Sequence, residues 1–189
     1  AASQNGHVEV VDKLLQHGAT VDLKEKDGWS SLYAASQKGH VEVVDKLLQH
    51  GATVDLQKED GRSSLMTASQ NGHVEVVDKL LQHGATVDLK EKDGWSSLMT
   101  ASQNGHVEVV DKLLQHGATV DLKEKDGWSS LMTASLNGHV EVVDKLLQHG
   151  ATVDLKEKDG WSSLMTASLN GHVEVVDKLL QHGATVDLK

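Results

Sequence analysis

The sequence predicts an all-α solenoid of stacked helix-turn-helix units with β-hairpin turns, and three observations carry that prediction. The segment Gly-His-Val-Glu-Val-Val-Asp-Lys-Leu-Leu-Gln-His-Gly-Ala-Thr-Val-Asp-Leu begins at Gly6, Gly39, Gly72, Gly105, Gly138 and Gly171, a period of 33 residues, and never changes. Such a period marks units that hide their apolar faces against one another. Within each copy Val109, Val110, Leu113, Leu114 and their equivalents fall on one helical stripe, which Val107 extends. Gly105 and Gly117 then punctuate the chain at the two places where a helix should stop. The period divides residues 1–189 into a single array: a partial unit 1–24, then 25–57, 58–90, 91–123, 124–156 and 157–189.

The elements follow in order within the unit from Glu91 to Lys123. Asp93-Gly94 signals a tight turn, because glycine tolerates the positive φ such turns use. Ser96-Ser97 offers hydroxyl oxygens to the unpaired N–H groups of a helix start. A short helix is expected over Leu98 to Asn104 and a longer one from about Val107 to His116. Glu108 sits where the N-terminal dipole favours an acid, four residues before Lys112. Ala118 to Lys123 reads as an extended return, with Val120 and Leu122 alternating. Alone, the unit could not bury its stripe; stacked, it can.

Composition narrows the function classes. The chain has no Cys, Pro or Phe. It therefore builds no disulfide framework, thiolate metal site or thiol nucleophile, and its compartment is not revealed. No apolar run approaches membrane-spanning length and no charged-then-apolar leader opens the sequence, so no membrane partner is expected. From Asp93 to Lys125 five acids face three bases, and the net charge of −10 is spread along the chain. That balance argues against nucleic acid, which needs clustered Lys and Arg.

The residues Gly94, Leu98, Ala101, Gly105, His106, Glu108, Val109, Val110, Leu113, Leu114, Gly117, Ala118 and Val120 resemble the ankyrin repeat pattern, over essentially the whole chain. The family's Thr-Pro-Leu-His is here Ser96-Ser97-Leu98-Met99, with Tyr33 at the last position in one unit. The resemblance implies a solenoid that binds proteins through a concave face of turns and short helices. It also implies that the missing His takes with it hydrogen bonds that tie neighbouring units.

The long-helix segment is invariant, so the differences between units fall on that implied face. They are Trp29, Arg62, Trp95, Trp128 and Trp161 in the turn, and Tyr33 in the short helix. At the end of the short helix stand Gln37-Lys38, Gln70-Asn71, Gln103-Asn104, Leu136-Asn137 and Leu169-Asn170. The hairpin flank Lys24-Glu25-Lys26 becomes Gln57-Lys58-Glu59 once. These positions are the expected protein-binding surface, with the Trp row as its anchors, since Trp is enriched at interface hot spots. The structural alternative is that each indole lies over a neighbour's Lys or Leu stem and stiffens the turns.

Catalysis and cofactors are not expected. His106 and His116 are ten apart rather than three or four, and equivalent histidines should lie ~8–10 Å apart across a stack, too far to share a zinc. The first series reads as capping the long helix, the second as standing at its C-terminal end. Ser, His and Asp recur in every copy, whereas an active site needs one distinctive constellation. There is no phosphate loop and no His-Glu-x-x-His. Lys112 reads as a stem lying along the surface with its ammonium in water.

Natural arrays drift, so the uniformity points to an idealised or engineered array in preference to a recent duplication or a fragment of a natural interaction protein. At one end Val10, Val11, Leu14 and Leu15, and at the other Val175, Val176, Leu179 and Leu180, repeat the internal stripe. Head-to-tail self-association is therefore a further expectation.

Overall fold

The computed structural model describes residues 1–26 and 28–187. Eleven helices run through the described residues: α1 Val8–Gln16, α2 Ser31–Lys38, α3 Val41–Gln49, α4 Ser64–Gln70, α5 Val74–Gln82, α6 Ser97–Gln103, α7 Val107–Gln115, α8 Ser130–Leu136, α9 Val140–Gln148, α10 Ser163–Leu169 and α11 Val173–Gln181. Helices of seven to nine residues do not persist alone in water, so their stability comes from packing. Short helices pack on short ones, long on long, and each short helix from α2 onward lies against the long one that follows. The result is two layers with one core between them. Leu98, Ala101, Val109, Val110 and Leu113 are essentially inaccessible, and their equivalents continue the same seam from unit to unit. Each such Val or Leu contributes roughly 1.5–3 kcal/mol by leaving water.

Boundaries differ from the sequence expectation by one residue, for local reasons. Ser97 already belongs to α6, because the Ser96 hydroxyl accepts the Met99 N–H at 3.4 Å and so stands at the cap. Asn104 lies just outside, its side-chain amide donating to the Thr100 carbonyl at 2.7 Å. Gly105 follows at φ 74, the left-handed conformation that ends the turn. His116 is likewise the C-cap of α7 rather than its last residue.

The expected extended return is a turn instead. The Leu122 N–H donates to the Thr119 carbonyl at 3.2 Å, folding Val120 and Asp121 between them. The preceding unit causes this. Asp88 accepts both the Thr119 N–H at 3.0 Å and the Thr119 hydroxyl at 2.5 Å, so the chain is pinned where it leaves the helix. Alternation of Val120 and Leu122 mimics a strand, but the polar anchor decides. The expected β-hairpins are also reduced: among the described residues two isolated antiparallel bridges, Lys123 with Ser129 and Lys156 with Ser162, are all the sheet pairing there is. The fingers are closed by single bonds such as Glu91 N–H to Trp95 carbonyl at 3.0 Å, and joined to each other by Lys92 N–H to Asp60 carbonyl at 3.0 Å.

Two expectations about charged side chains are corrected. His106 occupies the N-cap of α7 but makes no side-chain cap bond. Its Nε2 instead lies 3.0 Å from the Gln70 carbonyl in the previous unit, and the same bond recurs from His40, His73, His139 and His172. A carbonyl only accepts, so Nε2 carries the proton. The ties that the resemblance assigned to a missing His are therefore supplied by another one. Lys112 is not left to water alone, nor does it turn to Glu108. It donates to Asp78 of the preceding unit at 2.9 Å, while Gln82 donates to the other oxygen of that carboxylate at 2.6 Å. The pairing repeats at Lys46–Asp12, Lys79–Asp45, Lys145–Asp111 and Lys178–Asp144. Each pair is more than a third exposed on the lysine side and contributes ~0–1 kcal/mol, but it fixes the register of neighbouring long helices.

Candidate functional site

The residues that vary between units all belong to the fingers and the short helices. Four of the fingers are held by an acid two to four residues before the variable position. Glu91 Oε1 accepts the Asp93 N–H at 2.9 Å and the Trp95 N–H at 3.0 Å, and Glu124 and Glu157 do the same for Trp128 and Trp161. This presents Trp95 and Trp128 half-buried and Trp161 41% exposed. In the one finger with Lys58 in the acid's place, Asp60 takes over and accepts the Arg62 N–H at 3.0 Å.

The fingers stay a fixed distance apart because glycine lets them touch. A Cβ on Gly94 would meet Glu124 Cα and Lys125 N of the next finger at 3.1 Å. Along the stack the variable side chains are therefore neighbours. A cleft of about 260 Å³ is lined by Arg62, Met66, Gln70, Glu91, Asp93, Trp95, Thr100 and Gln103. It brings together four of the residues expected to bind: Arg62, Gln70, Trp95 and Gln103.

The other candidates divide by environment. Tyr33 is buried, at 3% exposure, with Trp29 edge-on to it at 5.0 Å. Lys58 Nζ lies 5.3 Å from the Trp29 ring and 5.2 Å from the Tyr33 ring, a cation–π arrangement. Trp29 and Tyr33 are thus packed against a neighbour's lysine, the arrangement foreseen as the structural alternative. Gln37 is half-buried and Lys38 exposed at the end of α2. Asn71, Asn104, Asn137 and Asn170 each spend one amide donor on a threonine carbonyl of their own helix. Leu136 is 36% exposed and Leu169 71%.

Two carboxylates on this face are held below their ordinary pKa. For Asp60 burial pulls upward, and it is outweighed by the Arg62 N–H together with the charges of Lys58 and Arg62. For Glu157 the Asp159 N–H is the largest influence. Burial opposes it, and the Trp161 N–H and the Lys123 charge add to the lowering from 4.5. A depressed carboxyl stabilises the fold above its unfolded value, and that contribution is lost as pH falls through the lower, folded one. In a chain with Trp161 as its sole indole (Trp29, Trp95 and Trp128 changed to Phe), Trp161 emission is expected to shift below pH 4.5. In Glu157→Gln that acid step should be missing; its persistence would refute the assignment.

Among the described residues no three His, Asp or Glu side chains gather as metal ligands would, and no helix is long and apolar enough to cross a membrane. What sequence reasoning missed are the ties between units: His to carbonyl, Lys to Asp, and Thr to Asp. The signal available was that the polar residues Asp88, Thr119 and their equivalents never vary while the fingers do.

Two helical layers, fingers projecting from one edge and a ladder of polar ties between identical units define a repeat solenoid with an open lateral surface. The family model for ankyrin repeats (3 copies) matches residues 1–58, 53–124 and 98–189. The chain belongs to the ankyrin repeat family. No curated protein matches it.

Proposed function

We infer that this chain acts in protein–protein interaction and is non-enzymatic, as ankyrin repeat proteins generally are. We propose that it is a scaffold, an idealised array that presents Trp95, Trp128 and Trp161 as anchors among Arg62, Gln70, Gln103, Leu136 and Leu169. The observation carrying this reading is the separation of roles. The long-helix side of the core and the His, Lys and Thr ties between units are the same from unit to unit, whereas variation is confined to side chains on the fingers and short helices. Partly exposed indoles on fingers whose backbone is closed by a carboxylate are anchors that lose little freedom on binding. Binders selected against the folded chain should lose affinity by about thirtyfold or more when Trp95, Trp128 and Trp161 become Ala, a hot-spot effect of about 2 kcal/mol or more. Circular dichroism of the triple variant should stay helical. Unchanged affinity with a lowered melting point would instead make the Trp row structural.

A further inference from the structure

The face that carries the anchors is not uniform along its length, and this extends the protein-binding reading to the kind of partner. Among the described residues that line the cleft ahead of Trp95, the one cation is Arg62. Among the described residues its guanidinium makes two long contacts, 3.5 Å from Nη1 to Gln70 Oε1 and 3.9 Å from Nε to Asp60 Oδ2. Most of its five N–H donors are left for a ligand. The acids around it are already engaged. Glu91 closes the finger through the Asp93 and Trp95 N–H groups, Asp93 pairs with Lys125 at 3.5 Å, and Asp60 accepts the Arg62 N–H and lies 3.4 Å from Lys58 Nζ. Further along, the residue that ends the short helix changes from Gln70 and Gln103 to Leu136 and Leu169. Leu136 lies inside the array and is still 36% exposed, so its exposure is a property of the face rather than of the last unit.

We propose that this face takes a polarised linear segment: a carboxylate on Arg62 and, toward α8 and α10, aliphatic or aromatic side chains over Leu136 and Leu169. A carboxylate fits the guanidinium fork, which can bind it through two parallel N–H bonds. At ~8–10 Å per stacked unit, Arg62 and Leu169 are three steps apart. An extended chain at ~3.3 Å per residue crosses that span in about seven to nine residues. The partner is thus an acidic-then-apolar peptide, not a basic one.

The test uses a displayed library of random twelve-residue peptides, panned on the full chain. Two variants write a sister unit's residue in place and so keep the fold: Arg62→Trp, and the pair Leu136→Gln with Leu169→Gln. Enriched peptides should carry Asp or Glu on one side and apolar residues on the other. Their affinity should fall roughly tenfold on Arg62→Trp, with a weaker salt dependence, and by a similar factor on the double Leu variant. Peptides without an acid, or an Arg62→Trp change of less than about threefold, overturn the polarity while leaving the scaffold intact. Failure of any peptide to bind overturns the inference. Failure of protein libraries too would remove the binding reading itself.

Discussion

Alanine in place of Ser36, Ser69, Ser102 and Ser135 together should raise the unfolding free energy by about 4 kcal/mol, roughly 1 kcal/mol per site. Each of these serines lies in a short helix at 0% exposure, and none of their hydroxyl oxygens has a hydrogen-bond partner. A buried hydroxyl that has given up water without compensation costs about 1–3 kcal/mol. Alanine removes the oxygen and is the better helix former, while the small void it leaves works against it. Because the four sites sit in four separate units, their effects should nearly add. Guanidinium denaturation followed by helical circular dichroism measures the change. A quadruple variant no more stable than the parent would show that these hydroxyls do have partners, or that the packing around them cannot relax. The sign is informative, since most core substitutions destabilise.

The second large effect separates two glycines that look alike in the sequence. Gly105 and Gly117 both end helices and both have positive φ, 74 and 82. Around Gly117 there is nothing within 4 Å of an added Cβ. At Gly105 that Cβ would sit 2.7 Å from Nδ1 and 2.8 Å from Cε1 of His139, the ring that ties the next unit to the Gln103 carbonyl. Gly117→Ala should therefore cost only the left-handed strain, about 1–2 kcal/mol. Gly105→Ala adds displacement of the imidazole and loss of its bond, for a total of about 3 kcal/mol. Paired denaturation curves check the order. Equal losses would mean that the ring moves aside freely and is not a structural tie.

That contrast also shows what the sequence could and could not tell. The helices were legible because their causes are local: the Val109, Val110, Leu113, Leu114 stripe, the Ser96 cap and the stop at Gly105 all lie within a few residues of what they determine. The ties between units were not, because the partners stand 31 to 36 residues apart and only stacking sets the offset. His106 sits at a helix start and so reads as a cap, yet its ring reaches the neighbour's carbonyl. Lys112 reads as solvated, yet the next helix over supplies Asp78. Val120 and Leu122 read as strand, but Asp88 imposes a turn on them. The candidate surface was legible as a set of variable positions. The sequence could not show that Tyr33 would be buried beside Trp29 and Lys58, or that Arg62, Gln70, Trp95 and Gln103 would share one cleft.

The Asp–Thr, His–carbonyl and Lys–Asp joints between units recur at the same offsets, and length editing follows from this. Excising any internal stretch of 33 residues, or splicing one in, brings the flanking Asp, Thr, His and Lys back into register with equivalents of the residues they lost. Such a chain can be lengthened or shortened by whole modules without a new seam ever having to be invented.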